Sequence, residues 1–256
     1  MLVGADRVAL CGSLSGISVH RHASTAVVVG LDAPLLFAGR RSHLSRAALI
    51  APGFSHAVLG VRGRIAAFLL PPHAISSEGL APVGDLPHPE RWVELGQGLL
   101  DGTISGHEPV DLLLARSKLN TRELDDRLRR AIALLRETLD DNVPVEEIAA
   151  EVRLSPSRLM SVAHEQLGTS LRRYRRWLRM FRVARDYAGG ASLTRAALDA
   201  GFSSSAHLSA AARDHFGIRP SQILTPGGRS GILATPYEVL HHAQRNAAHN
   251  PKLMGV

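Results

Sequence analysis

Two stretches decide the reading of this chain: "VEEIAAEVRLSPSRLMSVAHEQLG" (145–168) and "LTRAALDAGFSSSAHLSAAARDHFG" (193–217). Each reads as a short helix, a tight turn, a second helix opened by serine, and a Leu-Gly or Phe-Gly stop. A helix-turn-helix needs a small residue where its helices cross, a turn residue four positions later, and apolar anchors that lock the second helix onto the first. In the first unit Ala149 is the small residue, flanked by Ile148 and Val152, while Leu154 plugs the turn and Leu159 and Val162 anchor the second helix. Ser155-Pro156 starts that helix with a capping hydroxyl and a proline whose missing N–H is not needed there. Ala197, Gly201, Phe202 and Leu208 repeat the scheme in the second unit, with Ser203 or Ser204 as the cap. One such pattern occurs in any tight helical pair; two in tandem with arginines between them point to nucleic-acid binding.

The stretch between them, "TSLRRYRRWLRMFRVARDYAGG" (169–190), predicts a helix of about 19 residues, with Leu171, Tyr174, Leu178 and Phe181 along one face. Arg172, Arg173, Arg175, Arg176, Arg179 and Arg182 cover much of the rest. At 1.5 Å per residue such a helix is roughly 28 Å long, close to the roughly 34 Å turn of B-DNA. It could therefore set two recognition helices into successive major grooves. The plainer alternative for any one of these arginines is a solvated, charged helix face.

Upstream the pattern changes. Up to about Ala74 the chain consists of short apolar runs broken by Gly, Pro and His, such as "ASTAVVVGLDAPLLFAG" and "GRIAAFLLPPHA", which suggest a small antiparallel sandwich or barrel. Ser76 to Pro89 is rich in Gly and Pro and reads as a loop between layers. Beyond it "PERWVELGQGLLDG" and "EPVDLLLARSK" read as short helices, and "TRELDDRLRRAIALLRETLDD" is amphipathic, with Leu124, Leu128, Ile132 and Leu135 on one face. After Pro226 a tail carries one weak helical segment around Tyr237 to Ala248.

Composition narrows the function classes. A chain of 256 residues with 45% hydrophobic content can bury a sizeable core. No run approaches the roughly 20 apolar residues that span a bilayer, and "MLVGADRVALCGSLSG" lacks the charged start and long apolar stretch of a signal peptide, so a cytoplasmic protein without a membrane partner is expected. Cys11 is the single cysteine, which leaves no intrachain disulfide and no cysteine-based zinc site. The formal net charge is +7, and between Arg153 and Pro226 twelve arginines face four acids, an excess that fits a polyanionic partner.

"EEIAAEVRLSPSRLMSVAHEQLGTSLRRYRRWLR" followed by "ASLTRAALDAGFSSSAHLSAAARDHFGIRPSQ" resembles the tandem helix-turn-helix domain of AraC/XylS-type transcription regulators. Ser155-Pro156, Gly168, Tyr174, Arg179, Gly201-Phe202, Phe216-Gly217 and Pro220 carry the likeness, over roughly Thr121 to Leu224. The first 75 residues look, less specifically, like the small cupin-type sensing domain that often precedes it. The resemblance implies an α+β chain: a cupin-like β-barrel for sensing and dimerisation (1–75), a helical connector (76–120), an all-α tandem helix-turn-helix domain (121–226) and a tail (227–256). It implies a regulator that is not an enzyme and needs no cofactor, with promoter DNA as partner. A small-molecule effector, RNA polymerase and a second copy of the chain are admissible further partners.

Carried across by family position, Ser157, Met160 and Ser161 would face bases in the first recognition helix, with Arg158 near the backbone. In the second they would be Ser205, Ala206, His207, Ser209 and Ala210, behind the cap Ser204. Arg172, Arg176 and Arg179 would meet phosphates. Neither helix presents the long Arg, Gln or Asn side chains suited to bidentate base contacts. Three departures stand out: Arg153 where the first turn usually has glycine, and Ala163 and Ala212 where the family usually carries phenylalanine. A buried Phe replaced by Ala in a fixed core costs about 3–5 kcal/mol, so either neighbours fill in or the units are marginal.

His20 and His22 form an H-X-H pair on an expected strand, and "PGFSH" puts His56 after a Pro-Gly turn. Metal-dependent cupins use such elements, normally with a glutamate shortly after the H-X-H, where this chain has "ASTAVVVG". Three imidazoles could still bind zinc with an open site; structural or effector-contacting histidines are the favoured reading, and no metal is assigned. Two other classes stay open: a cupin metalloenzyme with a DNA-binding appendage, and an effector-free architectural DNA-binding protein.

Overall fold

The computed structural model describes residues 2–3, 7–13, 16–39, 41–59, 63–75, 82–104, 108–116, 123–223 and 233–234. Strands come first: β1 (Leu2–Val3), β2 (Val8–Ser13), β3 (Ile17–Arg21), β4 (Thr25–Gly30), β5 (Leu35–Ala38), β6 (His43–Ser45), β7 (Ala47–Ile50), β8 (Ser55–Leu59), β9 (Arg64–Leu70) and β10 (Val83–Asp85). The helices are α1 (Pro89–Asp101), α2 (Glu108–Arg116), α3 (Asp126–Glu137), α4 (Val145–Glu151), α5 (Pro156–Leu167), α6 (Leu171–Ala188), α7 (Leu193–Asp199), α8 (Ser205–Phe216) and α9 (Pro220–Ile223), followed by a short strand β11 (Leu233–Ala234).

The strands make two sheets, ordered β10-β7-β4-β9-β2-β1-β11 and β3-β8-β5-β6. β4 explains the layering. Every residue of "TAVVVG" is buried, which requires cover on both faces. Val27 and Val29 point to one core, with Trp92, Leu95 and Leu99 of α1, and Ala26 and Val28 point to the other. Trp92 is fully buried, its ring 5.7 Å from Phe68. α1 thus closes the outer face of the larger sheet.

The expected loop between Ser76 and Pro89 contains a strand. β10 pairs with β7 in the register Val83↔Ile50 to Asp85↔Ala48, extending the sheet edge by backbone hydrogen bonds that composition does not reveal. The apolar stripe expected in α3 is present: Leu124, Leu128, Ile132 and Leu135 are all buried. The tail segment around Tyr237 to Ala248 lies outside the described residues.

α6 runs for 18 residues, about 27 Å, capped by the Ser170 hydroxyl on the Arg173 N–H. Its buried face holds Leu171, Tyr174, Leu178 and Phe181 as expected, and also Trp177, Met180 and Val183. Tyr174 stacks on Trp177 at 5.5 Å, and Trp177 packs on Phe181 at 5.0 Å. Trp177 is fully buried and supplies bulk beside the helices where phenylalanines were missed. Ala163 is fully enclosed, whereas Ala212 lines a pocket together with Trp177, Phe181, Leu208 and Phe216.

The sandwich and the helical half share one continuous core. Val8, Ile17, Val28 and Leu69 join Leu171, Trp177, Phe181 and Ile218 in a single apolar cluster. Two glycines mark where the halves touch. Gly217, ending α8 at φ 68°, accepts the Ser18 N–H on its carbonyl at 3.2 Å, and a Cβ there would lie 2.3 Å from the Ser18 carbonyl oxygen. Gly168, ending α5 at φ 65°, lies against the Pro52–Gly53 turn, where a Cβ on Gly53 would come within 2.3 Å of the Gly168 carbonyl oxygen.

Candidate nucleic-acid interface and the buried histidine cluster

The two helical pairs are built alike. In the first turn the Leu154 N–H donates to the Ala149 carbonyl at 2.9 Å; in the second the Phe202 N–H donates to the Ala197 carbonyl at 3.0 Å. Both turns pass through a left-handed residue, Arg153 at φ 54° and Gly201 at φ 80°. Arg153 therefore adopts the conformation that glycine holds in the second unit, at a steric cost of about 1–2 kcal/mol for an L-residue. Ser155 caps α5 by accepting the Arg158 N–H at 3.2 Å, and Ser204, rather than Ser203, caps α8 by accepting the His207 N–H at 3.1 Å.

Along α5 the residues Leu159, Val162, Ala163 and Leu167 are buried, and Ser157, Arg158, Met160 and Ser161 are exposed. Along α8 Leu208, Ala211, Ala212 and His215 are buried, Ser204, Ser205, Ala206, His207 and Ala210 are exposed, and Ser209 is half-buried. Met160, at 53% exposure, is a large apolar side chain left in water, which asks for a partner.

His207 stands edge-on to Phe202 at 5.3 Å while remaining exposed, so packing and outward presentation coexist. The Ser203 backbone N–H points at its Nδ1 from 3.4 Å, with the Ser203 hydroxyl at 3.1 Å. A backbone N–H can only donate. Nδ1 thus takes the acceptor role and the proton sits on Nε2, facing away from the turn.

The connector arginines divide into two groups. Arg172 is exposed. Arg176 pairs with Asp214 of α8 at 3.2 Å, and Arg173 pairs with the same carboxylate at 3.2 Å while donating to the Arg21 carbonyl of β3 at 2.7 Å. Arg175 donates to the Val143 carbonyl and to Asn142, Arg179 donates to Asn142 at 2.9 Å, and Arg182 pairs with Asp140 and Asp186. Arg179 also lies under the second turn, where a Cβ on Gly201 would sit 3.3 Å from its guanidinium carbon. Burial lowers the pKa of Arg175 and Arg179 below the usual guanidinium range. Much of this basic helix is bonded inward.

His20, His22 and His56 come together where β3 meets β8. The register pairs His20 with His56, and each of the three offers a ring nitrogen within 4.8 Å of the others. His20 Nε2 and His22 Nε2 are 3.0 Å apart. His20 Nδ1 lies 2.8 Å from the Ser18 carbonyl and His56 Nδ1 lies 3.2 Å from the Phe54 carbonyl; a carbonyl only accepts, so both Nδ1 atoms carry the proton. His56 Nε2 and His22 Nδ1 are buried without a hydrogen-bond partner. Burial, reinforced by His56, pushes the His20 pKa down to about 3; burial carries His22 well below the ordinary imidazole value and lowers His56 too. All three rings are therefore neutral, with lone pairs available.

The cluster lines a pocket between the sandwich and α8, walled by Cys11, Val28, Val58, Leu69, Phe216 and Ile218 among others. Burial raises the Cys11 thiol to about 11, so it faces the cavity protonated. Three further histidines lie apart from the cluster: His43, on β6, pairs with Asp85 at 3.1 Å, His88 lies 3.4 Å from Glu90, and His73 is half-buried. Among the described residues no helix is long and apolar enough to cross a membrane.

Comparison with known proteins follows the same lines. Residues 148–225 match the family described as a helix-turn-helix domain. A transcriptional regulator with an AraC-type DNA-binding domain from Chromobacterium violaceum is 30% identical, over 40% of this chain and 96% of that one, with a TM-score of 0.35. Residues 148–225 therefore form a helix-turn-helix domain of the AraC type. Over the whole chain the fold is similar to that of ToxT from Vibrio cholerae: an apo variant aligns with TM-score 0.59 at 12% identity, over 88% of this chain and 100% of that one. ToxT bound to (E)-4-(8-methylnaphthalen-1-yl)but-3-enoic acid aligns with TM-score 0.59 at 12% identity, over 85% and 97%. No curated protein sequence matches the chain. The protein is a DNA-binding transcription regulator in class, with a cupin-like N-terminal half.

Proposed function

We propose that the chain binds promoter DNA through both helix-turn-helix units, α5 and α8 entering successive major grooves, and that the N-terminal half modulates this binding. The observation that carries the reading is the split along each recognition helix: every anchor is buried, while Ser157, Arg158, Met160 and Ser161 on α5 and Ser204, Ser205 and His207 on α8 stand in solvent, with Ser209 at the edge. The length of α6, about 27 Å, suits units placed roughly one turn of B-DNA apart. Arg172 reaches a phosphate, and Arg176 and Arg179 serve the interface from behind by holding its frame. The β-sandwich with α1 and α2 forms the sensing unit, α3 to α9 the DNA-binding unit. Because ToxT is known with an apolar carboxylic acid bound, the pocket between the sandwich and α8 is the natural seat of a small effector here.

The two units read DNA unequally. Serine hydroxyls bond donors and acceptors alike, and alanine only touches a thymine methyl. His207, with its proton on Nε2, contributes the one directional contact of α8: a donor that suits N7 or O6 of guanine, N7 of adenine or O4 of thymine, and does not suit the cytosine amino group. Sites selected from a random DNA pool should therefore contain two half-sites, the one under α8 the less constrained. Against single-base variants of that site, His207→Ala should flatten the preference at one or two base pairs by about 1–3 kcal/mol each and leave the α5 half-site unchanged. A strong, His207-independent preference in both half-sites would overturn this assignment, and a pool that yields no enriched sequence would overturn specific binding itself.

A further inference from the structure

Resting on the reading of the pocket between the sandwich and α8 as an effector seat, we infer that its ligand is a neutral, largely apolar phenol, and not an ionised carboxylate. The phenol hydroxyl donates to an unpartnered ring nitrogen of His22 or His56.

The hydrogen bonds within the histidine cluster decide which groups are left for a ligand. His20 and His56 donate their Nδ1 protons to the Ser18 and Phe54 carbonyls, at 2.8 and 3.2 Å. The Nε2 atom of neutral His20 is then a lone pair, so across the 3.0 Å contact between the two Nε2 atoms His22 is the donor. With its single proton on Nε2, His22 keeps a bare lone pair on Nδ1. The two buried ring atoms without a partner, His56 Nε2 and His22 Nδ1, are therefore both acceptors. Every imidazole N–H of the cluster is already engaged within the protein.

The walls point the same way. Among the described residues lining the pocket none carries a formal charge, and of the other polar ones Ser13 and Gln222 are exposed. Arg173 acts on His20 and His22 from nearby, but it is not on the wall, and its guanidinium is held by the Arg21 carbonyl and Asp214. An ionised carboxylate, which only accepts, would meet two lone pairs with no cation on the wall to pair it. The rings do not supply that charge near neutral pH, because burial holds all three below the ordinary imidazole value. An alkylammonium would donate, yet would bring a buried charge with no carboxylate on the wall to meet it.

A hydroxyl donates without charge. A phenol suits this pocket better than an alkanol: sharing the oxygen lone pair with the ring makes it a stronger donor and a weaker acceptor, where few donors are available. Its ring fits walls built from Val28, Val58, Ile65, Leu69 and Phe216. Phe216 and Ile218 on this wall flank Gly217 at the end of α8, so the occupant bears on the seat of the second recognition helix.

The test uses the full chain and three probes with one apolar body: β-naphthol, β-naphthoate and naphthalene. Each is measured by equilibrium dialysis near neutral pH, with a chelator present so that no adventitious metal ion occupies the lone pairs. β-Naphthol should bind at least about tenfold tighter than either of the others, the scale of one buried acceptor satisfied. His22→Phe and His56→Phe keep a ring but lose the lone pair, and at least one of them should remove the advantage of β-naphthol over naphthalene. His43→Ala, at the exposed His43–Asp85 pair, should leave the series unchanged. Circular dichroism checks each variant, and the comparison of probes on the wild-type chain needs no variant to fold. If β-naphthoate or naphthalene binds as tightly as β-naphthol, or the preference survives both ring substitutions, the inference is overturned and the effector seat stands. If none of the three binds, the seat is overturned and the inference with it.

Discussion

At the scale of single residues, Arg153 is the most telling. Its partner position in the second unit is Gly201, and both hold positive φ. The Arg153 backbone bears about 1–2 kcal/mol of strain that a glycine would not, offset in part by the extra freedom glycine has in the unfolded chain, about 0.5–1 kcal/mol. Arg153→Gly should therefore raise stability by roughly 0.5–1 kcal/mol in urea denaturation. A loss of stability instead would mean that the arginine side chain contributes more than its backbone costs. Sequence reading found this position because the motif itself demands a left-handed residue there. It also found His20, His22 and His56, since an H-X-H pair and a post-turn histidine are local patterns. The tautomers were out of reach, because they depend on where the Ser18 and Phe54 carbonyls point.

For elements, α6 gives the sharpest contrast between what sequence carries and what it does not. Its length, cap and apolar face follow from local periodicity, although Trp177 was left off the face despite standing three residues from Tyr174 and four from Phe181. The arginines are another matter. Whether a guanidinium meets solvent or a carboxylate depends on partners such as Asp214, 38 residues on from Arg176. This separation yields opposite expectations for neighbouring positions. Arg172→Ala should reduce DNA affinity and flatten the salt dependence of log K by about 0.9 of a slope unit, the share of one phosphate contact, with no change in melting temperature. Arg176→Ala should lower the melting temperature through the loss of its tie to α8 and leave the slope unchanged. Salt titrations and thermal melts of both variants decide it, and a reversal of the two patterns would show that Arg176 is the one that meets phosphate.

Taken whole, the molecule does not give its β and α halves separate cores. The shift from strands to helices was legible, but the apolar cluster runs on from Val8 and Leu69 into Trp177 and Phe181. Cutting the chain there bares Leu171, Phe216 and Ile218 in part, together with the wall of the pocket beside Ala212. A fragment spanning 121–226 should still bind DNA at low salt, yet self-associate and melt below the full chain; gel filtration and calorimetry check both. A monodisperse fragment as stable as the parent would show that the seam contributes little. The two terminal glycines of the recognition helices add a final consequence. Since Gly168 rests on the Pro52–Gly53 turn and Gly217 on the Ser18 carbonyl, hybrid regulators made by swapping sensor halves must transplant those two landing places along with the sensor, or choose donors that already have them. Matching only the linker between the halves would join the chains without reproducing the fit.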